Sequence, residues 1–234
     1  MGWDAVVERF LKRSPLTVMA HLTLRRALAA PWLDALFGQH AERQYVRSLL
    51  FSTVVDLLAS VTFGFRPSIH AAVKAAGATL PVSLTALYDK INRTEPALVR
   101  AMVRDGAQRL AGVLAALTPP PAGGGGYAVR IVDGNHLPAT EKRLKALRGL
   151  RGAALPGHTW VVYDPQLGLA VDIVPCEDAH AQERSLTEAL LAIAARGQLW
   201  VADRNFSTTR LFEGLADHGA VTNCAPPSSS GGSC

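Results

Sequence analysis

The sequence predicts an α+β protein in which a helical N-terminal half precedes a half that forms a mixed sheet. Residues 42–63 carry apolar side chains at steps of three and four, which is the spacing of one helix face. Residues 127–132 form a short apolar run followed by Asp-Gly, which is typical of a buried strand and the turn after it. Between them, residues 118–126 (TPPPAGGGG) have the proline and glycine content of a linker.

The linker sets the predicted domain boundaries. A helical domain occupies residues 1–117, and a sheet-containing domain occupies residues 127–223. Residues 224–234 include APPSSSGGSC, a low-complexity segment without core-forming residues, and we expect a disordered tail there.

Composition narrows the class of protein. The 234 residues are 49% hydrophobic and 18% charged, which is enough to bury a core and unlike a disordered chain. The three cysteines have no CxxC spacing, so we expect neither a structural zinc site nor a disulfide framework. This cysteine usage predicts a reducing, cytoplasmic location. The N-terminus lacks the apolar core of a secretory signal, and the longest apolar segment, residues 49–61, is too short and too polar to span a bilayer.

Positive charge is concentrated in the first half. Residues 1–118 contain 14 Lys/Arg and 8 Asp/Glu, a net charge of +6, whereas the remainder has 10 and 11, a net charge of −1. This asymmetry favours a polyanionic partner for the first half. Alanine-rich helical domains also carry surplus arginine without such a partner, so charge leaves both interpretations open.

Cap residues mark the predicted helix starts. Ser68, or Pro67 before it, begins a short helix, and Ser83 has N-cap chemistry for the next. Thr94 is predicted to cap a longer helix with Pro96 in its first turn. The predicted helices cover residues 16–30, a segment from Pro31, then 42–63, about 68–76, about 83–93 and about 96–117.

Two short helices followed by a longer one are typical of a helix-turn-helix and equally of an ordinary helical bundle. In the first case, sequence-specific contacts to DNA would come from exposed polar side chains of the second short helix. The candidates are Thr85, Tyr88, Lys90 and Arg93.

The second half is predicted to contain strands before helices. After the strand at 127–132, two β-rich runs at 159–163 and 169–174 are joined by a Pro- and Gly-containing turn, as in a hairpin. A helix at 181–196, a strand at 198–202, a helix from Ser207 or Thr208 to about His218, and a strand near 220–223 follow. This order is the opening of a ribonuclease-H-like fold, and we expect part of that fold here. A repeated βαβ fold, with a short helix at 140–148, is the weaker alternative.

Two aspartates follow predicted strands. Asp133 comes after the first strand, and Asp203 ends the strand at 198–202. Carboxylates held at the rim of a sheet are good ligands for hard divalent cations such as Mg²⁺. Alternatively, Asp133 accepts backbone N–H bonds in a turn and Asp203 caps the helix that follows.

A basic segment follows the first aspartate. Residues 137–152 contain five Lys or Arg residues and one acid, Glu141. The position of this segment suits contact with DNA phosphates, although a basic face exposed to solvent is the ordinary interpretation. Three roles stay open for Arg204, next to Asp203: orienting that carboxylate, forming a salt bridge, or contacting DNA. The predicted DNA-binding residues are Lys142, Arg143, Lys145, Arg148, Arg151 and Arg204.

Three motifs together resemble the catalytic core of bacterial DDE transposases of the insertion-sequence-four type. They are VDGNH at 132–136, the hairpin VVYDPQLGLAVDIVP at 161–175 and LWVADRNFS at 199–207. The helical run at 49–77 with VSLTALYDKINRTEP at 82–96 is similar to the region that precedes the core in that family.

This resemblance implies a function in DNA transposition and recombination. It implies that Asp133 and Asp203 are catalytic and bind Mg²⁺ or Mn²⁺ as the first two acids of a triad. It also implies binding of transposon ends and target DNA, cleavage and transfer of DNA strands, and a homodimer on the DNA ends. No membrane partner is expected.

The sequence departs from the family pattern at the third acid. The family has a Glu on a later helix, whereas Glu213 and Asp217 follow Asp203 too early, and Glu177, Glu183 and Glu188 precede it. We therefore expect a C-terminally truncated and impaired transposase. The alternative is a non-catalytic DNA-binding inhibitor of the full-length enzyme.

Overall fold

A computed structural model of the chain describes residues 15–42, 44, 48–77, 80, 82–117, 125–137, 157–176, 187–203, 206 and 208–223. The chain divides into two compact units, residues 1–110 and 111–234. Residues 118–124 of the linker predicted at 118–126, and the tail predicted at 224–234, lie outside the described residues, so the predicted domain boundaries stay a prediction. Across the described part of the chain, none of the helices combines the length and the hydrophobicity needed to cross a bilayer.

Helices make up the described part of the first unit. They are α1 (Pro15–Ala27), α2 (Ala30–His40), α3 (Phe51–Thr62), α4 (Ile69–Ala76), α5 (Leu84–Arg93) and α6 (Pro96–Leu117), the last of which begins in this unit.

Two groups of buried side chains hold these helices together. One group joins α2, α3 and the start of α6; the other joins α3, α4 and α5. Burial of several leucine and phenylalanine side chains stabilises each contact by about 1.5–3 kcal/mol per side chain. The first group is Leu33, Leu36, Phe37, Phe51, Val55, Leu98 and Ala101, and the second is Leu49, Val54, Leu57, Ala72 and Leu87.

Helix α3 begins at Phe51, so the prediction of a helix from residue 42 was wrong at that end. Leu50 is the N-cap and has no capping side chain of its own. Asp34 of α2 takes that role, since its Oδ1 accepts from Ser52 N at 2.9 Å and its Oδ2 from Ser52 Oγ at 2.8 Å. A cap supplied from another helix leaves no local signal in the sequence.

Local caps were predicted correctly at α4 and α5. Ser68 Oγ accepts from Ala71 N, and Ser83 Oγ accepts from Ala86 N, each at 3.2 Å. Thr94 was assigned to the wrong helix, because it is the C-cap residue of α5 and its Oγ1 donates to Lys90 O at 3.0 Å. Its hydroxyl therefore satisfies a last-turn carbonyl of α5.

The described residues of the second unit form a five-stranded mixed sheet. Its strands are β1 (Ala128–Leu137), β2 (Gly157–Asp164), β3 (Leu169–Cys176), β4 (Gln198–Ala202) and β5 (Val221–Thr222), in the order β3-β2-β1-β4-β5. β1, β2 and β3 are antiparallel, and β1, β4 and β5 are parallel. This confirms an α+β chain whose sheet has the predicted ribonuclease-H-like order. It excludes a βαβ start, because β1 pairs with β2 antiparallel.

Where the structure describes this unit, two helices accompany the sheet, α7 (Thr187–Leu191) and α8 (Thr209–Asp217). Thr208 Oγ1 accepts from Leu211 N at 3.2 Å, as predicted for the N-cap of α8. The helix predicted at 181–196 ends at Leu191, and residues 177–186 lie outside the described part. Gln198 accounts for the early end, because its Oε1 accepts from Ala195 N at 2.9 Å and from Trp200 Nε1 at 3.0 Å.

The core of this unit lies on one face of the sheet. Alternate residues of the strands, including Val132, Trp160, Val162 and Trp200, are buried with residues of α7 and α8. From α7 and α8 the core takes Leu190, Leu191, Leu211 and Leu215.

Candidate functional site

Asp133 lies within β1, so the prediction that the strand stops at this residue was wrong. β1 continues to Leu137 because β2 pairs with it from Ile131 onward, with Asp133 opposite Val161 and Leu137 opposite Gly157. The parallel ladder with β4 does end here, and its last pair is Val132 with Ala202. Asp133 is therefore the residue at which β1 leaves β4.

Asp203 directly follows β4 and so directly follows the same ladder pair. Because Val132 and Ala202 are partners, Asp133 and Asp203 occupy equivalent positions on neighbouring parallel strands, which lie about 4.8 Å apart. Both aspartates are exposed. The structure thus brings the two predicted acids together at one edge of the parallel part of the sheet.

The residues before the two aspartates fix them to the core. Val132 is buried and Ala202 packs against the same cluster. Side chains alternate along a strand, so Asp133 points to the face opposite Val132. A short, packed residue before each acid leaves the carboxylates at the surface on a rigid support.

Phe206, which the sequence analysis named only as part of the motif at 199–207, is a positioning residue for Asp203. Its backbone N donates to Asp203 O at 3.0 Å, which closes a turn directly after the aspartate. Its ring is buried and meets Trp160 edge-on, with 4.8 Å between the ring centroids. An aromatic residue three positions after a strand-end acid was the available signal.

The donor set suits a hard cation but is incomplete. Carboxylate oxygens are the ligands that Mg²⁺ and Mn²⁺ take, and Mg²⁺ keeps several waters of its own. No group of three His, Cys, Asp or Glu residues within the described ranges is placed to hold a metal ion. Two carboxylates fit as part of a two-metal site, which ordinarily needs a further acid.

A second ionic feature of the sheet is structural. Arg130 of β1, three residues before Asp133, forms an ion pair with Asp164 at the end of β2, and the two side chains are only 19% and 5% exposed. Arg130 Nη1 lies 2.7 Å from Asp164 Oδ2. Burial and mutual pairing assign this carboxylate to the hairpin and not to the candidate metal site.

The predicted DNA-binding residues Lys142, Arg143, Lys145, Arg148, Arg151 and Arg204 lie outside the described residues and stay a prediction. On α5, Thr85, Tyr88 and Arg93 are exposed, as contact with DNA requires.

Lys90 is removed from the group of exposed α5 residues by its packing. Its Nζ donates to Leu49 O at 2.9 Å and lies 4.5 Å from the centroid of the Phe37 ring. Burial lowers the pKa of Lys90, and the negative charge of Asp34 opposes that shift. The sequence contained a signal for this position, because Lys90 lies three residues after the fully buried Leu87 and so on the same helix face.

Comparisons with known proteins show only a distant likeness. No family model matches the chain, and no curated protein matches it. The chain is similar to the cryo-EM structure of a piggyBac transposase synaptic complex with hairpin DNA, with 10% sequence identity and a TM-score of 0.39. The match covers 89% of this chain and 51% of that chain, so this chain spans about half the length of the transposase. Likeness at this level shows neither family nor activity.

Proposed function

We propose that the chain carries the first two acids of a metal-dependent site for DNA strand cleavage and transfer, of the DDE transposase type. One observation carries the proposal: Asp133 and Asp203 follow the last pair of the parallel β1–β4 ladder and are both exposed. Strand order and strand direction, which bring these two acids together, are those of a ribonuclease-H-like sheet. Assignment to the insertion-sequence-four type belongs to the same proposal and rests on the three sequence motifs.

Asp133 and Asp203 would hold Mg²⁺ or Mn²⁺ through carboxylate oxygens. A bound pair of divalent ions would activate the attacking oxygen and stabilise the leaving oxygen of a phosphodiester. The role of the chain is to hold the two carboxylates at a fixed separation, which β1 and β4 do through main-chain hydrogen bonds. The exposed position of both acids leaves room for the phosphates of a DNA strand.

A two-metal site ordinarily needs a third acid. Within these 234 residues, no Glu after Asp203 has the context that the resemblance requires. We expect weak DNA cleavage by these residues when no other polypeptide supplies that acid. The proposed partners are transposon ends and target DNA, with a homodimer on the paired ends.

Metal binding and DNA nicking test the proposal together. Mn²⁺ should bind wild-type protein in a calorimetric titration, and Asp133→Asn or Asp203→Asn should weaken it by at least about tenfold, since loss of even an outer-shell partner costs that much. Asp217→Asn is the matched control, because Asp217 is exposed at the end of α8. Equal Mn²⁺ affinity in all four proteins would overturn the proposal. Any nicking of labelled duplex DNA should require Mn²⁺ or Mg²⁺ and disappear in both site variants.

A second candidate function is non-catalytic. The observation that favours it is the net charge of +6 in residues 1–118, which suits DNA binding without a metal ion. Such a protein would inhibit a complete transposase, either by occupying its DNA ends or by pairing with it. Inhibition of a complete enzyme by wild type and by Asp133→Asn to the same extent would favour this function over catalysis.

A further inference from the structure

Two phenylalanine rings project from the first unit directly after α3. Phe63 is 47% exposed and Phe65 is 73% exposed, which makes Phe65 the most exposed large hydrophobic side chain in the part of the chain that the structure describes. Their ring centroids are 6.3 Å apart, and the ring planes are tilted by 56°. Water contact over so much aromatic surface is unfavourable, so this patch is a candidate for binding.

The turn that carries the rings is held by its backbone. Phe63 N donates to Ala59 O at 2.9 Å, Gly64 N to Val61 O at 3.0 Å, and Arg66 N to Ser60 O at 3.0 Å. Gly64 takes a φ of 75°, which few other residues adopt at low cost. The rings are therefore presented by a fixed turn, and little conformational entropy is lost when a ligand covers them.

The sequence around the patch is basic. The chain has no Asp or Glu between Asp56 and Asp89, and within that stretch it has Arg66, His70 and Lys74. All three basic side chains are exposed. An apolar protein partner gains nothing from this charge, whereas a polyanion with aromatic groups gains from both the charge and the rings.

We propose that Phe63, Phe65 and Arg66 form a binding site for unpaired bases of single-stranded or locally opened DNA. The rings stack on bases, and Arg66 pairs with the phosphate backbone. The tilt between the rings excludes a base sandwiched between them, so one ring holds one base and Phe65, the more exposed ring, contributes more. This site lies in the first unit and needs no metal; it rests on the proposed function only in taking DNA as the polyanion.

The test uses the full chain in EDTA, so that metal binding plays no part. Fluorescence anisotropy compares a labelled single-stranded oligonucleotide with the duplex of the same sequence. Phe65→Ala should weaken single-strand binding by roughly 5- to 150-fold, as loss of one stacked base does. Phe63→Ala should weaken it less, and duplex affinity should change little in either variant.

Further variants separate stacking from charge. Phe65→Trp should retain affinity and show fluorescence quenching on binding, measured against the wild-type signal. Arg66→Ser should weaken the binding of both oligonucleotides. It should also reduce the dependence of affinity on salt concentration by about the contribution of one phosphate contact. Tyr127→Ala, which removes a ring that is 40% exposed in the second unit, is the matched control and should bind like wild type.

Three results would overturn this inference. One is wild-type single-strand affinity in the Phe63→Ala/Phe65→Ala double variant. Another is an equal loss of single-strand affinity in Tyr127→Ala. The third is a change in oligomeric state of the double variant, by size-exclusion chromatography, with unchanged DNA affinity, because the patch would then be a protein contact. Asp133→Asn should keep single-strand binding in EDTA, so failure of the metal site and failure of this site give different results.

Discussion

Arg130 Nη1 lies 2.7 Å from Asp164 Oδ2, in an ion pair that joins β1 to the end of β2. Arg130 also donates to Val129 O at 2.8 Å, while Asp164 Oδ1 accepts from Gln166 N at 2.8 Å and from Leu167 N at 3.1 Å. One carboxylate thus holds both the first strand and the turn of the β2–β3 hairpin. Since both side chains are largely buried, each charge depends on the other.

Asp164→Asn should destabilise the protein by about 3 kcal/mol, because it leaves the Arg130 guanidinium buried without a counter-charge. Urea unfolding followed by circular dichroism measures the loss. Glu188→Gln is the matched control: Glu188 Oε1 also lies 2.7 Å from an arginine, Arg210 Nη2, but both side chains are exposed. That exposed pair should contribute about 0–1 kcal/mol. Equal losses in the two variants would contradict the role given to burial.

Asp34 caps the first turn of α3 through its two bonds to Ser52. Asp34→Ala should cost about 1–2 kcal/mol, as loss of an N-cap does, and should also lower the helical signal at low denaturant. Asp56→Ala is the control, because Asp56 is an exposed acid on α3 itself and its removal should change the free energy of unfolding by less than about 0.5 kcal/mol. A loss for Asp34→Ala no larger than the control would show that α3 begins without this cap.

The half-buried Lys90 makes stability depend on pH. Burial lowers the folded-state pKa of Lys90 below its ordinary 10.5. Between the folded-state pKa and 10.5, the unfolded chain therefore binds more protons than the folded chain. Stability from this group therefore rises with pH through that window, up to about 10.5. The free energy of unfolding of wild type minus that of Lys90→Met should become more positive from pH 8 to pH 10. A flat or falling difference would contradict a lowered pKa.

Gly214 marks a close approach between α8 and α7. A Cβ at this position would lie 2.7 Å from Leu191 Cδ2, inside contact distance of a core side chain. Gly214→Ala should therefore lose about 1–3 kcal/mol of packing against a gain of about 1 kcal/mol in helix propensity, a net loss of up to about 2 kcal/mol. Gly38→Ala in α2 is the control, since a Cβ there meets nothing within 4 Å, and it should stabilise the protein. Thermal unfolding of both variants checks the opposite signs.

Local chemistry made much of the fold predictable. The caps Ser68, Ser83 and Thr208 act within four residues, and the Pro- and Gly-containing turn after Asp164 joins strands that are adjacent in sequence. The same short-range signals gave the order of strands and helices, and that order gave the mixed sheet.

Errors arose where a partner from elsewhere in the chain decides the outcome. Asp34 sets the start of α3 from 18 residues away, and β2 extends β1 beyond Asp133. The side chain of Gln198 holds the turn after α7. Lys90 was grouped with exposed residues, although Leu49 O and the Phe37 ring hold it against the helical core. None of these contacts has a fixed spacing in the sequence.

In the candidate site, the meeting of the two acids was predictable from the sequence, whereas a third ligand and the packing around the acids were not. Two strand-end acids become neighbours once their strands are parallel partners, so the meeting of Asp133 and Asp203 follows from strand order alone. No sequence pattern near either aspartate identifies a third metal ligand, because such a ligand would come from another part of the fold. The position of Phe206 under Trp160 likewise required the packed core.

The adjacency of Asp133 and Asp203 predicts coupled effects on metal binding. If both carboxylates hold the same ion, removal of the first disrupts the site, and removal of the second then costs less. The loss of Mn²⁺ affinity in Asp133→Asn/Asp203→Asn should therefore fall short of the product of the two single losses, with a coupling of about 0.5–3 kcal/mol. The pair Asp133→Asn/Asp217→Asn should show no coupling, because Asp217 is at the far end of α8 from its Thr208 cap and outside the β1–β4 ladder. Calorimetric titration of the two cycles measures both terms, and simple additivity for Asp133 and Asp203 would mean that they bind separate ions or none.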